Sequence, residues 1–193
     1  MPKGSPELTN ARKEEIVNAC EKLYQTMGFK EITIKEIGSE TTFTRTSIYN
    51  YFHTKEEIFL ALIKREYERW TADLQDMMAQ YETMTRDEFA DNLARSLEKR
   101  PQLLKLMSMN HYDMESNSRP ENLTEFKAAY GESLYVVQSC LEKYFPDMSG
   151  QEQQDFIYSF SPFCWHISLC SRVRKAACRN SGSWNKLCVY DGL

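Results

Sequence analysis

Fifteen consecutive residues, 41–55, contain no Asp or Glu, although the whole chain has 28 acidic residues against 24 basic ones. The stretch concentrates hydroxyl groups, one guanidinium, one carboxamide and several aromatic rings. Such groups bind phosphate oxygens and the edges of bases, which is what a DNA-binding surface requires. The composition of this stretch therefore predicts contact with nucleic acid.

Four side chains in the stretch are candidates for contact with bases. Arg45 is the leading one, because a guanidinium bridges O6 and N7 of guanine. Its alternatives are a phosphate contact or a solvated charge. Thr46, Ser47 and Asn50 are expected to read bases directly or through water, and their alternative is ordinary exposed helix surface. These residues predict sequence-specific readout of double-stranded DNA.

Five further residues suit the sugar-phosphate backbone. Tyr49 and Tyr51 are expected to contact phosphate or sugar, although Tyr51 fits packing inside the domain equally well. Lys55 lies at the predicted start of a helix, whose N-terminal amides and dipole also favour an anion. Thr33 and Thr44 are expected to cap helices and to touch phosphate as well, with capping alone as the alternative. Contacts of this kind position a protein on the duplex.

Apolar spacing and capping residues place these side chains on helices. From Ile16 to Tyr24 the apolar residues follow the i, i+3, i+4, i+7, i+8 pattern of one helix face. Residues 1–9 are expected to be a disordered lead-in, and residues 110–119 a loop. The predicted helices cover about residues 10–27, 34–40, 45–51, 54–78, 85–99, 101–107, 120–145 and 151–165.

The second and third predicted helices form a helix-turn-helix, because a three-residue turn joins them and the first helix precedes them. Ile48 and Phe52 are four residues apart and are expected to face inward, which leaves the polar side chains of the third helix facing out. Such a helix fits the major groove, which is about 12 Å wide. Thr54 and Glu57 are expected to form a capping box that opens the long fourth helix.

The composition of the whole chain favours an all-α fold. Of the 193 residues, 7 are Gly, 6 are Pro and 41% are hydrophobic. Few helix breakers and many good helix formers predict an N-terminal three-helix domain joined by a long helix to a C-terminal helical bundle. The net charge of -4 argues against a protein coated in nucleic acid, but it is compatible with one local basic face.

Other classes of protein are made improbable by the motifs that the sequence lacks. No apolar run reaches the roughly 18–20 residues that cross a bilayer, and no secretion signal is present, so a cytoplasmic protein is expected. The even number of cysteines, six, would allow disulfides, but without a secretion signal reduced thiols are expected. The absence of a CxxC pair predicts no metal site, and no cofactor is expected. No enzyme is expected, because the common catalytic motifs are absent and Cys164 and His166 lie on different helix faces.

The carboxyl end departs from the pattern of the rest. Residues 156–193 contain five basic residues and one acid, whereas the first 155 contain 19 basic and 27 acidic ones. Four of the six cysteines lie in this tail, and helical periodicity is weak after Cys170. Two explanations stay open: an unusual natural tail, or a shift of the reading frame near residues 160–162 that leaves a non-native end.

Residues 12–62 resemble the DNA-binding domain of the TetR, or tetracycline-repressor-like, family of transcriptional regulators. The resemblance is carried above all by the segment TSIYNYFHTKEEIFLAL, residues 46–62. It gives Lys55 the role of a phosphate contact. Three positions depart from the family pattern: Gly38 stands where Ala is usual, Thr42 where Gly is common in the turn, and Thr46 where Gly is frequent.

The resemblance implies a homodimer that acts as a repressor on a palindromic operator and is released by a small effector of unknown identity. Residues 10–53 would form the DNA-binding domain, and residues 54–193 the domain for dimerisation and effector binding. Because the tail is atypical, a second function stays open: a helical ligand-binding module with impaired dimerisation and little DNA binding. The candidate effector contacts, for each of which plain core or surface is the alternative, are Met107, His111, Tyr112, Phe126, Tyr130, Tyr135 and Trp165.

Overall fold

The computed structural model of the chain describes residues 5–42, 44–109 and 112–160, and the regular secondary structure in these ranges is all helical. The all-α prediction is therefore confirmed. The helices are α1 (Pro6–Thr26), α2 (Ile34–Ser39), α3 (Arg45–Ile48), α4 (Lys55–Gln80), α5 (Arg86–Glu98), α6 (Pro101–Met107), α7 (Tyr112–Ser116), α8 (Pro120–Tyr144) and α9 (residues 150–160).

Helix α1 begins four residues earlier than predicted. Pro6 occupies the first turn, where its missing N–H is not needed, and the Ser5 hydroxyl accepts a hydrogen bond from the Leu8 N–H at 3.3 Å. The prediction of a disordered lead-in is thus wrong for residues 6–9. The proline and the serine cap supply a start signal that apolar periodicity alone does not reveal.

Helices α2 and α3 begin at the predicted capping residues. Thr33 and Glu36 form the predicted capping box of α2, and the Thr44 hydroxyl accepts the Ser47 N–H at 3.3 Å. The α-helical part of α3 ends at Ile48, three residues before the predicted end, and residues 49–51 continue as turns. The recognition element is therefore one helical turn followed by tighter turns.

The small N-terminal domain encloses its own apolar centre. Helix α1 packs on α2 and α4, and α2 packs on α3. Ile48 is fully buried and Phe52 nearly so, as their four-residue spacing predicts, and they join Ile16 and Ile37 in the core. Full burial of such side chains contributes about 1.5–3 kcal/mol each, so this core fixes the orientation of α3.

In the larger C-terminal part, α4 packs along α8. The ring of Tyr67 lies 6.3 Å from that of Phe126 and 5.3 Å from that of Tyr130, measured between centroids. The Trp70 indole N–H donates to the Ser96 hydroxyl at 2.9 Å and joins α4 to α5. None of the helices in the described ranges is both long enough and apolar enough to cross a membrane.

Helix α7 lies in the segment 110–119 that was predicted to be a loop, so this prediction is wrong for residues 112–116. The polar sequence of the segment gives no apolar stripe that would indicate a helix. Its one long apolar side chain, Met114, is fully buried, and this single anchor docks the helical turn against the body. Residues 112–116 therefore form a packed helical turn within the predicted loop.

Candidate nucleic-acid interface

The side chains expected to read bases lie on the outside of the N-terminal domain. Arg45, Thr46 and Asn50 are exposed and Ser47 is half-buried, whereas Ile48 between them is fully buried. Helix α3 thus separates its residues into one apolar face that packs on the core and one polar face that meets solvent. The polar face carries the hydrogen-bonding groups that direct readout of bases requires.

Arg45 and Tyr49 are joined across one turn. The Arg45 guanidinium donates to the Tyr49 hydroxyl at 3.4 Å, and the tyrosine remains 39% exposed. A guanidinium has five N–H donors, and this bond uses one of them. The tyrosine therefore orients the arginine at the surface without consuming its capacity to bind an acceptor pair.

The threonines that cap α2 and α3 differ in their surroundings. The Thr44 hydroxyl lies 3.0 Å from the Ser47 hydroxyl at the exposed start of α3. The Thr33 hydroxyl instead faces the Glu36 carboxylate, which also accepts the Thr33 N–H at 3.1 Å. Because that carboxylate repels phosphate, the geometry favours capping alone for Thr33 and a combined role for Thr44.

Lys55 is engaged inside the domain. Its ammonium donates to the carbonyl oxygens of Phe29 and Ile32 at 2.9 and 3.3 Å, and it lies 4.2 Å from the centroid of the Phe29 ring. The lysine therefore ties the connection between α1 and α2 to the start of α4. This structural role was not foreseen, and contact between Lys55 and phosphate stays a prediction.

Helix α1 positions both ends of the recognition element. The Glu15 carboxylate accepts the N–H and the hydroxyl of Thr42, both at 2.8 Å, and these bonds lower the pKa of Glu15. At the other end, Arg12 donates to the hydroxyl of the half-buried Tyr51 at 2.9 Å. Packing is thus an observed role of Tyr51, and Arg12 adds an exposed cation that an inspection of residues 41–55 misses.

Behind the reading surface lies a buried carboxylate, Glu57, whose predicted role was wrong. Its oxygens do not cap α4; they accept the His53 N–H at 2.7 Å and three donors of Arg119 at 2.7–3.0 Å. Burial by itself raises the pKa of the Glu57 carboxyl, but these hydrogen bonds outweigh burial and lower the pKa to about 2. The Glu57 carboxyl is therefore ionised near neutral pH and connects the N-terminal domain to residue 119.

A cavity of about 750 Å³ lies between α5, α9 and the end of α8. Acidic and basic groups occur among its lining, but apolar side chains dominate it. Several of the larger residues in its wall are Phe89, Leu93, Leu97, Leu141, Tyr144, Phe145, Phe156 and Phe160.

The residues expected to contact an effector lie elsewhere. Met107, Phe126 and Tyr130 do not line this cavity; Phe126 and Tyr130 pack against Tyr67, and Met107 is partly buried against the core. Tyr135 is 64% exposed. The predictions for His111 and Trp165 and for the side chain of Tyr112 fall outside the described part of the chain. Contact between these residues and an effector therefore stays a prediction.

The two described cysteines do not act as thiolates near neutral pH. Burial raises the pKa of Cys20 to about 12 and that of Cys140 to about 11. Within the described ranges, no group of three or more His, Cys, Asp or Glu side chains is placed to hold a metal ion.

An exposed, acid-free recognition element on a three-helix domain, followed by a larger helical domain with an apolar cavity, defines a helix-turn-helix regulator. Residues 16–62 match the family model described as bacterial regulatory proteins, tetR family. Residues 64–183 match the tetracyclin repressor-like C-terminal domain. The chain belongs to the TetR family, as its sequence motifs predict. The second match includes most of the atypical tail.

Individual relatives match about a third of the chain. The chain is 33% identical over 63 residues to the uncharacterized HTH-type transcriptional regulator YfiR of Bacillus subtilis, which is 33% of this chain and 31% of YfiR. It is 26% identical over 72 residues to the HTH-type transcriptional repressor Rv1474c of Mycobacterium tuberculosis, 37% of this chain and 38% of Rv1474c. The matched part thus spans about a third of each relative's length.

The fold also resembles a solved structure over most of its length. The crystal structure of the reduced form of NemR from E. coli superposes with a TM-score of 0.56 and 15% sequence identity. The match covers 84% of this chain and 88% of NemR. At this identity the likeness concerns the arrangement of helices. The membership in a family of regulatory proteins agrees with the prediction that the chain is not an enzyme.

Proposed function

We propose that this protein is a sequence-specific DNA-binding transcriptional regulator that represses its target genes in the cytoplasm. The observation that carries the proposal is the exposure of Arg45, Thr46 and Asn50 on an element without carboxylates. Arg45 bonds a guanine edge, and Thr46, Ser47 and Asn50 complete the readout of bases. Tyr49 and Thr44 bind the adjacent phosphates, and these contacts fix the register of the domain on the duplex.

The proposal requires a homodimer on a palindromic operator. One recognition element of this length contacts only a few base pairs, which is too little for useful discrimination across a genome. Two subunits related by a two-fold axis place two such elements in successive major grooves, about 34 Å or a multiple of 34 Å apart. The size of the protein in solution separates this proposal from a monomeric ligand-binding module.

Release from DNA is proposed to follow from a small apolar molecule in the cavity between α5, α8 and α9. The volume of about 750 Å³ falls in the range of drug-sized ligand sites, roughly 300–1,000 Å³. A ligand shifts the protein away from the operator-binding form only if it binds the other form more tightly. The apolar wall therefore favours an effector with a large hydrophobic surface and few charges.

The direct experiment is the selection of bound sequences from random duplex DNA. The expected result is an enriched palindrome, and the affinity for it should fall steeply as salt rises because phosphate contacts release counterions. Lys99, which is exposed at the end of α5, provides a control. Lys99→Ala removes one positive charge far from α3 and should retain operator binding. A failure to enrich any sequence would overturn the proposal.

A further inference from the structure

The N-terminal domain is held to the rest of the chain by more than the continuous helix α4. One segment, described at residues 101–109 and 112–119, includes α6, α7 and the residue before α8, and contacts the N-terminal domain at two separate places. In both places a cationic side chain of the segment binds oxygen atoms of the N-terminal domain or of the first turn of α4. We call this segment the strap.

The first contact is made by Arg119. Its Nε and Nη2 atoms donate to the two oxygens of Glu57 at 2.7 and 2.9 Å, and Nη2 also donates to the carbonyl oxygen of Tyr51 at 3.0 Å. Nearby, the Thr54 hydroxyl donates to the carbonyl oxygen of Asn117 at 2.9 Å. The arginine thus reaches the last residues of the recognition element and the first turn of α4 together. Charge-assisted bonds of this fork geometry fix orientation as well as distance.

The second contact is made by Lys105 of α6. Its ammonium donates to the carbonyl oxygens of Tyr24 and Met27 at the end of α1, the latter at 2.9 Å, and lies 3.8 Å from the centroid of the Tyr24 ring. The Tyr24 hydroxyl donates back to the carbonyl oxygen of Lys105 at 3.3 Å. A cation at this position also complements the negative end of the α1 dipole.

These two contacts restrain the N-terminal domain in different ways. Arg119 holds the side that carries the recognition element, and Lys105 holds the far end of α1. Glu57 is 1% exposed, so without Arg119 its buried negative charge would lose its cationic partner and keep only the His53 N–H. A rotation of the N-terminal domain therefore requires the strap to move with it or the bonds to break.

We propose that Arg119 and Lys105 are positioning residues, through which the strap sets the orientation of the recognition element. This proposal rests on the proposed function, because it assigns the residues that fix the distance between the two DNA-binding domains of a dimer. A displacement of the strap changes the angle of α3 through these cations. The strap and the dimer interface then together determine which spacing of operator half-sites the protein binds best.

The chain offers a matched control for each cation. Like Arg119, Arg100 binds one carboxylate and one backbone carbonyl oxygen: that of Asp73 at 2.7 Å and that of Arg69 at 2.8 Å. Unlike Arg119, it joins α4 to the α5–α6 connection. Lys143 likewise donates to a carbonyl oxygen at a helix end, that of Met78 at 2.9 Å. Neither control residue touches α1, α2 or α3 in these bonds.

The experiment compares Arg119→Lys with Arg100→Lys and Lys105→Met with Lys143→Met in the full chain. Affinity is measured on the selected operator and on versions with one base pair inserted or deleted at its centre. The distance between the two DNA-binding domains of the dimer is measured between spin labels, each attached to a keto amino acid at residue 30. Thermal midpoints are recorded for every variant, so that changes in stability are separated from changes in orientation.

Arg119→Lys and Lys105→Met should broaden the head-to-head distances and lower the preference for the native spacing by roughly tenfold, within the 5–150-fold range typical of coupling between sites. The control variants should leave both quantities unchanged even where their thermal midpoints fall as far. If the variants of Arg119 and Lys105 and the control variants changed these two quantities equally, or if none of them did, the positioning role would be overturned. If no operator is enriched but the distance between the two DNA-binding domains changes as expected, the proposed function fails and the positioning role stands.

Discussion

Arg119 and Glu57, which are 62 positions apart in the sequence, are joined by three hydrogen bonds. The backbone N–H and Nε of Arg119 donate to one carboxylate oxygen of Glu57 at 3.0 and 2.7 Å, and Nη2 donates to the other at 2.9 Å. The pair binds the start of α8 to the start of α4. Because Glu57 is buried, the pair connects the stability of the protein with pH, and we propose that it also orients the DNA-binding surface.

The first prediction concerns acid stability. The pKa of Glu57 in the folded protein is about 2, below its ordinary value of 4.5, so its stabilising effect is complete above about pH 4.5 and is lost as the pH falls toward 2. We expect the free energy of unfolding to drop by about 2–3 kcal/mol over this range because of Glu57. Urea unfolding at several pH values checks it.

Glu57→Gln is the matched comparison for that series, because it removes the titrating group and keeps the shape. The variant should be less stable at pH 6 and should lose less stability than the unaltered chain between pH 4.5 and pH 2. Parallel curves for the two proteins would contradict the assignment of this pH dependence to Glu57.

The second prediction separates the two roles of Lys55. Lys55→Met removes two hydrogen bonds to the carbonyl oxygens of Phe29 and Ile32 and should reduce the free energy of unfolding by about 1–3 kcal/mol. If the ammonium also binds phosphate, the salt dependence of operator binding becomes shallower by about one unit of slope. Lys30→Met, a change at an exposed lysine nearby, should have neither effect on this scale. An unchanged urea midpoint for Lys55→Met would refute the structural role.

The third prediction concerns Gly38, where the family pattern usually has Ala. A Cβ atom at this position would lie 3.6 Å from Cδ1 of Ile48, which is an ordinary contact. Gly38→Ala should therefore raise the free energy of unfolding by about 0.5–1 kcal/mol, since Ala loses less backbone entropy in a helix. Gly28→Ala is the control. Its Cβ atom would lie 3.2 Å from the Glu31 carboxylate, closer than an ordinary contact, so the same gain in stability is not expected. A loss of stability in Gly38→Ala would show that α2 and α3 need the closer approach.

The fourth prediction tests the cavity between α5, α8 and α9. Ala94 lines it and is exposed, so Ala94→Trp should fill the opening without disturbing the core. Binding of the amphiphilic dye 1-anilinonaphthalene-8-sulfonate, whose aromatic rings bind apolar sites, should weaken several-fold when followed by fluorescence. Ala128→Trp, a change at an exposed alanine on α8, should leave dye binding intact. Equal dye binding by both variants would place the apolar site elsewhere.

Local features of the fold were accessible from the sequence. The caps at Thr33, Thr44 and Thr85 each depend on residues within three positions, and the burial of Ile48 and Phe52 follows from their spacing. Signals of this kind act over one helical turn, so one sequence is enough to read them. The helix-turn-helix and its exposed polar face were therefore predictable.

Long-range contacts were not accessible in the same way. Arg119 stands in a segment that was expected to be a loop, and its partner Glu57 was assigned to a capping box that it does not form. The contact of Lys55 with phosphate stays a prediction, but the binding of its ammonium to carbonyl oxygens more than twenty positions earlier was not predicted. Nothing in the spacing of such residues identifies the partner, because the contact is created by tertiary packing.

The position of the cavity could not be predicted either. The expectation that Met107, Phe126 and Tyr130 contact an effector rests on residue type and stays a prediction, whereas the cavity opens beside α5. Apolar side chains that fill a core and those that line a cavity have the same composition and the same helical spacing. Only the packing of α5 against α8 and α9 distinguishes them.

The central claim is that the exposed face of α3 reads bases through Arg45. The most direct measurement is the affinity of the unaltered chain and of Arg45→Ala for the selected operator and for each of its single-base variants. The prediction is that Arg45→Ala loses discrimination at one symmetry-related pair of positions, worth about 1–3 kcal/mol, and keeps it elsewhere. A profile that is unchanged, or weakened equally at every position, would contradict base readout by Arg45.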